Sequence, residues 1–218
     1  MYAPQSNQFF PVPHSKLTPC HYDVMFKEAL SYGRSIGLTR VPLVDERPIE
    51  AAFLEKAIDL IHRKANLWRN GLPDYHGDQC MEVTSKLYAL LNHHGIAADI
   101  VIGSVTVNGK KLYALTSEAI AQEASNPDGG VGLNLHAWLT IGGDSVIDYT
   151  LPSMLALNKM APPHFWQVGF VERAADLYSN SIEYEPILVG SQFLGRVNTY
   201  DPHDVLEKLR SLSMEPQW

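Results

Sequence analysis

Cys80, His136 and Asp148 are the three side chains whose types and order could make an activated thiol. A cysteine attacks as its thiolate, a histidine moves the proton, and a carboxylate fixes the histidine's tautomer and orientation. Cys80 opens the stretch Cys80-Met81-Glu82-Val83, in which Val83, Leu87, Leu90 and Leu91 recur at helical spacing. Gly77 and Asp78 supply a start signal, and Gly95 stands where a left-handed helix stop belongs. The spacing therefore predicts a buried helix with the sulfur at the positive end of its dipole, a position that favours the thiolate. The competing reading of Cys80 is a small hydrophobe packed at a helix end.

The other two candidates fall on a predicted hairpin. Leu133, Leu135, Ala137, Leu139 and Ile141 alternate with Asn134, His136, Trp138 and Thr140, Gly142-Gly143 marks the turn, and Ser145 to Tyr149 returns. Strand parity decides whether the two can meet. A two-residue turn at Gly142-Gly143 would put His136 and Asp148 on opposite faces. A three-residue loop puts them on one face, directly opposite with Ile141-Gly142-Gly143 as the loop, or as diagonal neighbours with Gly142-Gly143-Asp144. An odd-length loop or bulge is the expectation, its glycines serving a left-handed position. Asp148 would then reach one ring nitrogen of His136 while the other faces Cys80.

These stretches resemble the core of the transglutaminase-like superfamily, within the broader papain-like group of cysteine enzymes. The resemblance covers about residues 77–150 and rests on the cysteine-opened helix that ends in Gly95, the following strand Ile96 to Gly103, His136-Ala137-Trp138, and Val146-Ile147-Asp148. It implies an α+β fold in which a cysteine at the N-terminus of a buried helix packs on an antiparallel sheet carrying the histidine and the aspartate. It also implies Cys80, His136 and Asp148 as the catalytic residues. His76-Gly77-Asp78-Gln79 before the cysteine departs from the Arg-Gly-Gly-x-Cys of the arylamine acetyltransferase branch and argues against it. The Cys80 to His136 separation is long for small members, and the excess falls between Val107 and Val131.

The chemistry expected of such a triad is attack on an amide carbonyl, a thioester intermediate, and then water (protease, amidase or deamidase) or an amine (transglutaminase or acyltransferase). Its substrate would be a peptide or protein amide, or a small amide, with no cofactor. First-turn N–H groups of the helix would receive the oxyanion. Gln79 is a second candidate donor, and Tyr75, His76 and Trp138 are candidates for lining the site. His76, as a lone loop histidine, also reads as simply solvated. Two other classes stay open: a binding module that kept the fold without activity, and a metal site from Cys80, His136 and one of His76, His93 or His94. Cys20 is the rival nucleophile, with no histidine and carboxylate hairpin tied to it.

The elements that must hold these residues fit one domain over residues 1–218, with an irregular arm at 1–17. The chain is 45% hydrophobic and 19% charged, ordinary for a globular protein. A net charge of −7 without basic runs argues against nucleic acid or an anionic membrane surface as partner, and no stretch reads as a membrane span. Two cysteines make no disulfide framework and match no zinc spacing. The start lacks a secretory pattern, so a cytoplasmic protein is expected, or an effector exported without a signal peptide. Helices are predicted from Thr18-Pro19, over 48–68 and from Asp201-Pro202 to about Leu212. A hairpin turns at Asn108-Gly109, strands are expected over 166–171 and 181–189, and the loop 126–130 reads as a lid or as plain solvent loop.

Overall fold

The computed structural model describes residues 21–72, 75–125, 134–197 and 201–214. The N-terminal arm, the Thr18-Pro19 helix start, Cys20 and the loop 126–130 lie outside them. Helix α1 spans Tyr22–Ser35. The helix expected over 48–68 forms as α2 (Ala51–Arg63) and a single turn, α3 (Ala65–Trp68), divided at Lys64.

Helix α4 (Cys80–His93) is the central helix, and its periodicity is that of an element covered on most sides: Val83, Leu87, Tyr88, Leu90 and Leu91 are all buried. Its buried hydroxyls are satisfied locally, Thr84 Oγ1 donating to Ala137 O at 3.1 Å and Ser85 Oγ to Met81 O at 2.7 Å. Gly95 ends it at φ 75°, with Gly95 N–H on Asn92 O and Ile96 N–H on Leu91 O, the paired closure that a left-handed C′ residue allows. The Asn92 side chain then braces the helix end against the next strand, accepting from Ala98 N–H and donating to Ala98 O.

Strand β1 (Asp99–Val107) turns at Asn108-Gly109, both at positive φ, into β2 (Lys110–Tyr113). Helix α5 (Ser117–Ser125) follows, then β3 (His136–Thr140), β4 (Ser145–Asp148), α6 (Leu151–Leu157) and a 3₁₀ turn at Pro163–Gln167. Trp166 belongs to that turn, so the strand expected from it begins only at Phe170: β5 is Phe170–Arg173. Then come α7 (Ala174–Ser179), β6 (Ile182–Val189), α8 (Gln192–Val197) and α9 (Pro202–Met214), the last opened by Asp201 accepting from His203 N–H at 2.9 Å.

The fold is α+β, with one antiparallel six-stranded sheet among the described residues. Strands β3 and β2 lie end to end along one edge of β1, β6 runs along the other, and β4 and β5 extend the sheet beyond β3. Ile100, Ile102, Ala137, Leu139 and Ile147 meet α4 on one face, while Val101, Val105, Trp138, Tyr184 and Val146 pack with α1 and α6 on the other. Gly103, paired with His136, is required by crowding: a Cβ there would collide with the Glu185 carbonyl and the Trp138 ring. No described helix is long and apolar enough to cross a membrane.

Candidate active site

The β3–β4 register brings His136 and Asp148 onto one face. Leu139 pairs with Ile147, which sets Ile141 opposite Ser145 and leaves Gly142-Gly143-Asp144 as a three-residue loop. His136 and Asp148 are then same-face diagonal neighbours. The glycines are needed for a different reason from the expected left-handed backbone, since neither has positive φ. Instead, a Cβ on Gly143 would strike the Glu46 backbone, because the 46–49 segment is drawn over the loop. Asp144 holds it there, accepting from Ile49 N–H at 2.8 Å and from Arg173 Nη1 at 2.7 Å.

His136 Nε2 lies 2.5 Å from Asp148 Oδ2, and both side chains are essentially inaccessible. The carboxylate is fully occupied. Oδ1 accepts from Thr150 N–H (2.8 Å), Thr150 Oγ1 (2.9 Å) and Leu151 N–H (3.0 Å) at the start of α6, and Oδ2 also accepts from the Tyr184 hydroxyl at 2.8 Å. A buried charge held this way is compensated rather than stranded. Burial alone would lower the His136 pKa, but the Asp148 charge and hydrogen bond, with a contribution from the Cys80 sulfur, outweigh it and raise it. Burial alone would likewise raise Asp148, and the pairing with His136 and the Leu151 and Thr150 amides lower it instead. Both directions describe one imidazolium–carboxylate pair.

Nδ1 is the nitrogen left over. It is buried and has no hydrogen-bond partner among the described residues. The nearby sulfur is Cys80, at the first position of α4 and 8% exposed; its thiol points to Leu135 O at 4.0 Å, the residue preceding His136. The sulfur is thus close enough to raise the ring's pKa by contact as well as by charge, although the geometry stops short of a regular hydrogen bond to Nδ1. At the helix start, the first-turn N–H groups lack intrahelical acceptors and surround the sulfur with positive potential.

The remaining candidates separate. Tyr75 is half-buried with its ring 5.1 Å from Trp166, and it feels the Asp78 carboxylate. Gln79 is the residue before the helix and makes no side-chain cap. His76 is not solvated; it is buried, edge-on to Trp68 at 6.5 Å. Trp138 must be corrected: it is fully buried on the α1 face and its indole N–H donates to the Tyr22 hydroxyl at 3.3 Å, so it is core and not a substrate contact. No cluster of three metal-binding side chains occurs among the described residues.

Two tyrosines escaped the sequence reading. Tyr184 reaches Asp148 from β6, and Tyr113 lies flat on the His136 ring, centroids 4.7 Å apart at 21°. Neither belongs to a local motif. A groove of about 490 Å³ between α3, α4 and α9, lined by Leu67, Trp68, Leu90, Val205 and Leu209, contains none of Cys80, His136 and Asp148. Its polar lining is Asn70, Glu82, Lys86, Asp204 and Lys208. No family model, curated protein or solved structure matches the chain.

Proposed function

We propose that Cys80, His136 and Asp148 carry out acyl chemistry on an amide through a thioester, in a transglutaminase-like arrangement of the papain-like kind. The observation that carries this reading is the buried His136–Asp148 pair, whose second ring nitrogen is left without a partner beside a cysteine at a helix N-terminus. Cys80 reacts as its thiolate and His136 carries the proton. The sulfur attacks the carbonyl carbon, first-turn N–H groups receive the oxyanion, and His136 delivers its proton to the departing nitrogen as the C–N bond breaks. Water then attacks the thioester while His136 takes its proton, and the thiolate leaves, which makes the protein a protease, amidase or deamidase acting on a peptide, protein or small amide. An amine in place of water makes it a transglutaminase or acyltransferase.

An activated ester tests the step without knowledge of the substrate. Incubation with p-nitrophenyl acetate should release a burst of nitrophenol and add one acetyl group at Cys80, seen by peptide mass spectrometry and absent in Cys80→Ala. Decay of that adduct in buffer, against decay with added primary amine, separates hydrolase from acyltransferase. Acetylation spread over lysines with no adduct on Cys80 would refute the assignment.

A further inference from the structure

Cys80 is 8% exposed and His136 is not exposed at all, so the residues that enclose them govern what reaches the sulfur. Most of the walls are fixed. Helix α4 is anchored by Val83, Leu87 and Leu90 in the core, β3 is paired on both edges, and Asp148 and Tyr184 are buried and hydrogen-bonded. Tyr113 is different in every respect. It ends β2, a four-residue strand whose first two residues are exposed and which pairs, among the described residues, only with β1. Its ring is partly exposed, and its hydroxyl has no hydrogen-bond partner among the described residues.

Its position is built by the backbone. Val105 pairs with Tyr113 while Thr106 pairs with Lys111, so Leu112 is an extra residue and the strand bulges just before Tyr113. Because β2 and β3 lie end to end along β1, the last residue of β2 meets the first residue of β3, which is His136. The bulge aims the phenol over that junction, flat on the imidazole and within electrostatic reach of Cys80, Tyr75 and Asp78.

We propose that Tyr113 is the specificity-determining wall of this site, its ring occupying the space that the acyl substituent of a substrate must enter and limiting which substituents reach Cys80. The proposal rests on the Cys80 and His136 reading above. Swinging the phenol off the imidazole gives up that stacking contact and packing at the margin of the core, and no described hydrogen bond.

The test compares two reagents with one warhead, iodoacetamide and N-(1-naphthyl)iodoacetamide, as rates of Cys80 modification resolved by peptide mass spectrometry. The ratio of the rates cancels changes in sulfur nucleophilicity. Wild type should discriminate against the naphthyl reagent, and Tyr113→Ala should shift the ratio towards it by roughly ten-fold or more, the scale on which an apolar pocket rejects a misfitting group. Tyr113→Phe should keep the wild-type ratio, because the ring and not the hydroxyl is the wall. If Tyr113→Ala does not fold by circular dichroism, Tyr113→Leu makes the same test. An unchanged ratio in the folded small variant, or an equal shift in Tyr113→Phe, overturns the proposal. Failure of the parent reading looks different: His136→Ala would then leave both rates unaltered, whatever Tyr113 variants do to their ratio.

Discussion

His136 and His203 each stand beside a hydroxyl or thiol, and they differ in what lies behind the ring. His203 Nε2 is 2.8 Å from Ser191 Oγ and 3.5 Å from the Tyr88 hydroxyl, a group that ties α9 to α4 and to the end of β6. No described carboxylate hydrogen-bonds its ring; Asp201 takes only its backbone N–H. Burial lowers the His203 pKa, Arg40 adds to the effect, and the opposing charges of Asp201, Asp204 and Glu207 do not reverse it. His136 is buried more completely, yet it goes the other way because Asp148 is in contact with it. A serine and histidine at hydrogen-bond distance are therefore a structural tie here. The partnered carboxylate is what turns a buried ring into one that keeps a proton to give.

The largest expected effect follows from breaking that partnership. Asp148→Asn should cost about 3 kcal/mol of stability in urea unfolding at pH 7, the scale for removing one partner of a buried ion pair. Asp201→Asn, at the His203 end, should cost about 1 kcal/mol or less as a helix-cap change. Equal losses would remove the distinction between the two histidines.

The pH dependence sharpens the same contrast. His136 has a raised folded pKa, so its share of the stability is complete below the unfolded value and is lost as pH rises through the folded one. Asp148 has a lowered folded pKa, so its share is present above the unfolded value and is lost as pH falls through the folded one. The coupling of His136→Ala with Asp148→Asn, from a double-mutant cycle of unfolding free energies, should thus be greatest in neutral solution and shrink at both extremes. In NMR titrations the His136 ring should remain protonated through neutrality while His203 loses its proton below the ordinary histidine range. A coupling flat with pH, or His136 titrating like His203, would contradict the pairing.

Tyr184→Phe is the smallest of these changes. It removes one of the donors on Asp148 Oδ2 and should cost about 1 kcal/mol, as a single buried hydrogen bond does. Tyr88→Phe, which breaks only the two 3.5 Å contacts with His203 and Ser191, should cost less.

What could be read from the sequence was local. The Cys80 helix announced itself through heptad-like apolar spacing and Gly95, and strand parity with two glycines narrowed the hairpin to registers that either join or separate His136 and Asp148. Tyr184 and Tyr113 were invisible because their roles depend on the pairing of β1 with β6 and on a bulge in β2, contacts that no short-range pattern encodes. Trp138 was misplaced for a related reason: its neighbour His136 is on the site, but the residue itself faces Tyr22 from α1, an element distant in sequence. The residues of the 46–49 segment that crowd Gly143 were equally unforeseen.

The central claim is that Cys80 is a thiol activated by His136, and competitive alkylation tests it most directly. Limiting iodoacetamide at about pH 6, with Cys80 and Cys20 peptides resolved by mass spectrometry, reads thiolate population and access together. Cys80 should be labelled well ahead of Cys20, and His136→Ala should slow it by about 100-fold, the lower end of what a positioned acid–base group contributes. Preferential labelling of Cys20, or a Cys80 rate indifferent to His136, would contradict it.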